Sequence, residues 1–488
     1  MTDPVLDLSR PIGTEIRKTT CYMCACRCGI DVHMKDGPDG KKRAAYIEGN
    51  RDHPLNKGVL CAKGSAGIMQ HNAPSRLRAP MKRTGPRGSG EYTEITWDEA
   101  LDLATSWLKP LRETAPEKLA FFTGRDQSQS FTSLWAQGFG TPNYAAHGGF
   151  CSVNMAAAGI YTMGGAFWEF GQPDWDHTKL FLLFGVAEDH DSNPIKMGIG
   201  KLKARGARIV GVNPIRTGYN AVADDWFGVT PGNDGLLILS LIHCLMTAGQ
   251  IDTDYLARFT NASVLVNQDP KSPDYGLFIR DDELRPQVID RRTGKLAPWN
   301  GAGVEPSLTG TWRNAGFTHR SVFHLMADRY TDPVHAPENV ADRVGIPASR
   351  IRQLAADMAD VAFNQPVILD QPWTDFRGKK HDQMIGRPVS VHAMRGISAH
   401  SNGFQTCRAL HTLQIILGAV ETPGGMRFKP PYPKPATAHP KPHCKVVPGQ
   451  PLNGPHLGYP QGPEDLCLTD AGDPARIDKA FTWENPMS

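Results

Sequence analysis

Four thiols, Cys21, Cys24, Cys28 and Cys61, constrain this chain more than any other feature. Three sit in the run CYMCACRCG, and the fourth follows a gap of 32 residues in GVLCAKG. Three closely spaced cysteines and one distant one do not make a disulfide ladder, but they can converge on a single metal centre. Thiolate-only ligation suits zinc or an iron–sulfur cluster. The C-x2-C-x3-C…C spacing favours a cubane [4Fe–4S] cluster, because zinc ribbons usually pair two short C-x2-C knuckles. Cys26 is a fifth thiol in the same run and competes for a place in the ligand count.

The remaining composition excludes more than it proposes. A length of 488 residues allows about three domains. A net charge of +3 with no arginine-rich tract gives no reason to expect nucleic acid as a partner. Ten cysteines are too few for a secreted disulfide scaffold of this size. The first 20 residues, MTDPVLDLSRPIGTEIRKTT, contain neither an apolar core nor a twin-arginine pair, so a cytoplasmic location is expected. No run of about 20 apolar residues is present to span a bilayer.

Periodicity divides the rest of the chain. Residues 1–75 read as a small, loop-rich unit whose core is too thin to fold well without a metal. ITWDEALDLATSWLKPLRE predicts a helix beginning at Thr96 or Asp98. KLAFFTG, at 118–124, reads as a buried strand. KLFLLFGV, then SNPIKMGIGKLKARG, then ARIVGVNP reads as strand, helix and strand, a β-α-β unit that implies a parallel sheet. GLLILSLIHCLMTAG is a strongly apolar helix, and about 60 residues after Asn261 are polar and irregular. IPASRIRQLAADMAD reads as a capped helix and QPVILD as the strand after it. From Lys429 the text becomes PPYPKPATAHPKPH, a stiff polyproline-like arm outside any core.

Taken together, these segments give a family likeness over roughly residues 15–430. The cysteine frame, VGVNPIRTGYNAVADDW, VTPGNDG and GISAHSNGFQTCRALHTLQIILGAVETPGG occur in the order in which the molybdopterin oxidoreductases carry them, and the chain resembles the catalytic subunits of that family. The resemblance implies an α/β fold: an N-terminal iron–sulfur domain and two Rossmann-like α/β domains around a pterin cofactor. It implies a cluster domain over 1–75 and a discontinuous pterin-binding domain over 76–145 and 330–430. A second pterin-binding domain falls at 146–329, and a Pro-rich arm and truncated tail at 430–488. The family's C-terminal barrel-like domain is expected to be missing, as in a fragment or in one half of a split gene. The implied cofactors are a [4Fe–4S] cluster and a bis-molybdopterin guanine dinucleotide carrying molybdenum or tungsten.

The likeness assigns residues. Cys21, Cys24, Cys28 and Cys61 match the cluster ligands, and Lys63 matches the lysine that the family places between cluster and pterin. Cys151, in HGGFCSVNMAAAG, matches the position of the protein ligand to the metal, where a soft thiolate suits a sulfur-rich sphere. Gly185 ends a strand at the carboxyl edge of a parallel sheet, and Asn193 opens the next helix, a place where phosphates bind. Asn213, Arg216 and Thr217 end the following strand, where a polar group and an arginine can take ribose and pyrophosphate. The family often has Asp at the position of Asn213. Gly232 and Asp234 match a turn that can accept a guanine edge, and Gly396, His400, Asn402 and Gly403 match the second pterin-binding loop.

The resemblance also narrows the reaction. Formate dehydrogenases of the family place a histidine directly after the Cys or selenocysteine ligand, whereas Ser152 follows Cys151 here. The segments 18–37 and 147–177 look most similar to the catalytic subunits of sulfite dehydrogenases that work at the inner face of the membrane. Those act with two partners, a quinone-reducing membrane anchor and a ferredoxin-like iron–sulfur subunit. A small anionic substrate needs cationic company, and Arg125, His147, His190 and Arg395 are the candidates. Thiosulfate, polysulfide or tetrathionate reduction, formate oxidation, a zinc-ribbon module and a molybdenum-free electron-transfer subunit are the alternatives.

Overall fold

The computed structural model describes residues 12–13, 15–24, 26–124, 129–141, 143–145, 147, 153–165, 170–186, 193–216, 218–393 and 395–428. EIRKTT, GIDVHMKD and KRAAYIEG form strands β1 (Glu15–Thr20), β2 (Gly29–Asp36) and β3 (Lys42–Gly49) of an antiparallel meander. The hairpin between β2 and β3 closes through Gly37 N to Lys41 O, with Gly40 at φ +71°. Only Cys28, Ile30 and Cys61 among the apolar side chains of this segment are buried, so packing alone gives it little stability. The four-residue helix α1 (Ala62–Ser65) follows directly on Cys61.

Helix α2 (Trp97–Thr114) starts where the sequence places it. Thr96 Oγ1 accepts from Glu99 N at 3.2 Å, and Glu99 Oε2 accepts from Thr96 N at 2.7 Å, a reciprocal capping box. The strand expected at 118–124 shrinks to Phe121–Phe122, paired in parallel with Tyr144–Ala145. It is not buried: Phe121 stacks on Tyr144, while Phe122 on the opposite face of the pleat is 67% exposed.

Beyond helix α3 (Val153–Met163), a parallel sheet forms the core. It contains β4 (Leu180–Phe184), β5 (Arg208–Val212), β6 (Asp225–Phe227) and β7 (Val389–Ala393), in the order β6-β5-β4-β7. LFLLF is buried at every residue, as a strand covered on both faces must be. Leu180, Leu182, Phe184, Val210, Val389 and Val391 face one layer, made by helices α5 (Asp234–Thr247), Ala348–Ala359 and α6 (Gly403–Ile416). Phe181, Leu183 and Ile209 face the other, made by helix α4 (Asn193–Ala204) and Tyr219.

Three local expectations differ from the observed structure. The sequence groups residues 330–430 with 76–145, yet β7 is hydrogen-bonded throughout to β4, because VSVHA is buried at every position and needs a central neighbour. QPVILD gives the strand Val367–Leu369, paired antiparallel with Met384–Gly386 outside the parallel sheet. The helix Ala348–Ala359 has Pro347 at its N-cap and no side-chain cap. The irregular stretch after Asn261 contains short antiparallel pairs, among them Thr311–Asn314 with Phe317–Ser321. The proline-rich arm lies outside the described residues.

Candidate functional site

The strand order fixes where a ligand can sit. From β4 the chain crosses through α4 to β5 on one side, while β7 lies on the other side of β4. The order therefore reverses between β4 and β7, and a crevice opens at their carboxyl ends. Gly185 follows β4 with φ +62°, its N–H donating to Val212 O at 3.0 Å. Gly396 lies just beyond β7. A Cβ built on Gly185 would stand 3.2 Å from Gly396 Cα, and one on Gly396 would run into Gly185 O. The two loops touch backbone to backbone, which only glycine permits.

The loop after Gly396 is tied down by side chains. His400 Nε2 donates to Gly396 O at 2.7 Å, and Asn402 Nδ2 donates to Gly232 O at 3.0 Å. Gly403 packs so closely on Ser398 O that a side chain there would collide with it. Helices α5 and α6 start side by side: a Cβ on Gly235 would lie 2.6 Å from Thr406 Oγ1. Neither N-cap residue, Asn233 nor Asn402, spends its side chain on its own helix. Two helix N-termini with open N–H groups thus converge on one edge, a setting that favours phosphate oxygens. Asp234, 6% exposed in the first turn of α5, has its carboxyl pKa pushed up by burial, while His400 pulls it the other way. A phosphate-linked guanine cofactor fits this edge: helix ends face its phosphates and a carboxyl group its base.

The geometry therefore brings together Gly185, Gly232, Asp234, Gly396, His400, Asn402 and Gly403. Asn213 and Arg216 leave the same sheet edge after β5. Asn213 is buried, its carbonyl accepting from Trp226 Nε1 at 2.9 Å, and Arg216 is exposed. Asn193 begins α4, and Arg395 begins the short helix Arg395–Ser398, but their side chains lie outside the described residues. Cys151, Ser152, Thr217, Arg125 and His190 also lie outside them, while His147 is half-buried. Helix α3 begins two residues after Cys151. Sequence reasoning missed Asn154 in its first turn. Asn154 Nδ2 donates to Ser398 O at 2.7 Å, tying the segment after Cys151 to the second loop. Its signal was a lone amide in the otherwise apolar run VNMAAAG.

The thiols belong to the N-terminal meander. Cys21 leaves β1 and Cys28 enters β2, and Cys21 N donates to Cys28 O at 2.8 Å across the mouth of the hairpin. Asn56, 1% exposed, holds Gly29 through both N–H (2.8 Å) and C=O (3.1 Å) and donates to Val59 O at 3.0 Å. One amide thus fixes the neighbour of Cys28 and the approach to Cys61. Cys24 and Cys26 are half-buried in the same loop, and none of the five thiols is joined in a disulfide. Among the described residues no group of three or more His, Cys, Asp or Glu side chains is posed to hold a metal ion. The thiols share a region without forming a finished coordination sphere. Soft sulfur donors alone in this loop nevertheless suit an iron–sulfur cluster. Lys63 sits half-buried in α1, two residues after Cys61. Among the described residues no helix is long and apolar enough to cross a membrane.

Comparison with known proteins agrees with both the thiol segment and the crevice. The chain is 47% identical to the molybdopterin-family sulfite dehydrogenase chain of Allochromatium vinosum, over 100% of its own length and 51% of that protein's. It is 27% identical to the molybdopterin-containing thiosulfate reductase subunit of Salmonella typhimurium, over 58% of the chain and 36% of the relative. It also resembles the formate dehydrogenase major subunit of Haemophilus influenzae, 23% identical over 84% of the chain and 39% of the relative. The chain thus spans about half the length, or less, of these curated relatives. The structure of acetylene hydratase from Pelobacter acetylenicus shares the fold, with a TM-score of 0.54 at 18% identity, over 82% of this chain and 43% of that one. Residues 14–73 match the molybdopterin oxidoreductase Fe4S4 domain, and residues 76–445 match the molybdopterin oxidoreductase domain. The chain belongs to the molybdopterin oxidoreductase family, and its two domains indicate a [4Fe–4S] cluster and a molybdopterin cofactor carrying molybdenum or tungsten.

Proposed function

We propose that this chain is the cofactor-bearing part of an enzyme that oxidises sulfite to sulfate. The observation that carries the reading is the 47% identity, along the whole chain, to a chain of a sulfite dehydrogenase. Ser152 in place of the histidine expected of a formate enzyme supports it.

On this reading Cys21, Cys24, Cys28 and Cys61 hold the cluster, and Lys63 lies between cluster and pterin. Cys151 is the protein ligand to molybdenum or tungsten. Gly185, Asn193, Asn213, Arg216, Thr217, Gly232 and Asp234 take one guanine dinucleotide. Gly396, His400, Asn402 and Gly403 take the second pterin. The bound metal supplies the oxygen-atom and two-electron chemistry. The chain's own residues supply position. Touching glycines bring two backbones against the cofactor, helix N-termini face its phosphates, and Asn154 holds the helix after Cys151 to the second loop. A cation among Arg125, His147, His190 and Arg395 draws the sulfite anion in. Converting sulfite to sulfate takes oxygen from water and releases two electrons and two protons. The electrons pass to a ferredoxin-like iron–sulfur subunit, then to quinone through a membrane anchor, which places the chain at the cytoplasmic face of the membrane.

Steady-state assays of the purified complex with sulfite, thiosulfate and formate test this reading. Sulfite-dependent acceptor reduction is expected, with formate inert. Formate or thiosulfate turnover with sulfite inert would overturn it.

A further inference from the structure

Arg377 is a buried charge without a partner. The residue is 8% exposed, and Nε, Nη1 and Nη2 are all buried with no hydrogen bond. An unpaired guanidinium out of water is costly, and native structures pair such groups with an anion. The nearest carboxylate is already taken. Asp375, whose side chain is fully buried, accepts from Arg258 Nη1 at 3.2 Å and His381 Nε2 at 3.1 Å on one oxygen. Its other oxygen accepts the N–H groups of Arg377 (2.9 Å) and Lys379 (3.0 Å). Two arginines and a histidine therefore surround a single negative charge. Burial, and then the neighbouring Arg258, push the Arg377 pKa below its ordinary value.

The surroundings form a walled recess. Phe376 lies 5.2 Å beneath the Arg377 guanidinium and packs against Trp299 (5.7 Å) and Phe259 (6.3 Å), and Trp373 stacks on His381 at 4.4 Å. The covering hairpin is only Trp373–Thr374 against Lys380–His381, with Gly378 at φ +81° in its turn. So short a pairing can open with little loss of structure. The cluster precedes β7, whereas the crevice follows it, so the two lie toward opposite ends of that strand.

We propose that Arg377, with Arg258 beside it, forms a binding site for one small tetrahedral oxyanion, separate from the cofactor crevice. A guanidinium offers such an anion a planar fork of donors, and the aromatic wall keeps water from competing. The anion would supply the charge that Asp375 cannot.

The test uses the full chain as purified, with inorganic phosphate as the probe and chloride at matched ionic strength as the control. Phosphate should bind once per chain by titration calorimetry, raise the unfolding midpoint saturably, and slow amide exchange over residues 373–381. Arg377→Met should weaken phosphate binding at least about tenfold and, without phosphate, leave the unfolding midpoint at or above wild type. Should that variant fail to fold, Arg377→Lys keeps the charge without the fork and should bind more weakly than wild type. Equal responses to chloride and phosphate, or protection that spares 373–381, would overturn the proposal. So would a wild type that ignores phosphate, because Arg377 would then be answered by a carboxylate from elsewhere.

Discussion

Gly396→Ala probes the crevice at its tightest point. The added methyl would sit 3.0 Å from both Gly185 C and Gly185 Cα, and closer still to Gly185 O. Carbon atoms prefer about 3.5–4.0 Å, so the two loops must part by about 0.5–1 Å. Neither side of the collision is a flexible side chain, and overpacking of this kind costs about 1–3 kcal/mol. The same displacement pulls on His400 Nε2, which bonds Gly396 O at 2.7 Å, and so on the loop that leads to Asn402. If the crevice holds the cofactor, each 1.4 kcal/mol lost from its preformed shape weakens retention about tenfold. The assay is metal content by mass spectrometry together with urea unfolding. Molybdenum or tungsten should fall steeply while iron, held by the separate thiol segment, stays at the wild-type level. A Gly396→Ala protein with wild-type stability and full metal loading would refute the claim that the loops meet at the cofactor.

Other consequences can be checked directly. Asn56→Ala leaves Gly29 N–H and two carbonyls without their partner inside the thiol segment. It should cost about 1–3 kcal/mol and lower iron content, and unchanged iron would contradict the role given to Asn56. Leu182→Ala, at a fully buried position of β4, should destabilise by about 2–5 kcal/mol in urea unfolding, and a cost below about 1 kcal/mol would mean that the sheet is not the core. Burial depresses the pKa of His392 to about 4 and of His411 to about 3, against an ordinary value near 6.5. The folded chain refuses protons that the unfolded chain accepts. The contribution of these histidines is therefore complete above about pH 6.5 and lost as pH falls toward 4, by up to about 1.4 kcal/mol per pH unit for each. The urea midpoint should drop between about pH 7.5 and about pH 5, and less so in His392→Leu. A flat profile would show that the histidines are not held neutral.

What could be read in advance was whatever local chemistry decides. Five consecutive apolar residues at Leu180–Phe184 can only be a covered strand, and Thr96 with Glu99 specifies a helix start whatever surrounds it. The glycines and Asn402 of the second loop were legible because a tight backbone approach demands those residue types. Strand partners were not. Nothing in VSVHA says that it lies beside Leu180–Phe184 rather than in a sheet with 121–122, since both neighbours would bury it equally well. KLAFFTG looked buried because its apolar count is high, yet Phe122 remains largely exposed. Asn154 and Arg377 were invisible for a related reason. One matters through a carbonyl more than 240 residues away and the other through a missing partner, and neither relation has a spacing in sequence.

The central claim is that Cys151 binds the metal at which sulfite is oxidised. Its most direct test is sulfite-dependent turnover of the assembled complex carrying Cys151→Ala, with metal and pterin content measured on the same sample. Turnover should fall by at least about a hundredfold, a loss of about 2.7 kcal/mol of transition-state stabilisation. Wild-type turnover from a fully loaded Cys151→Ala complex would contradict the account.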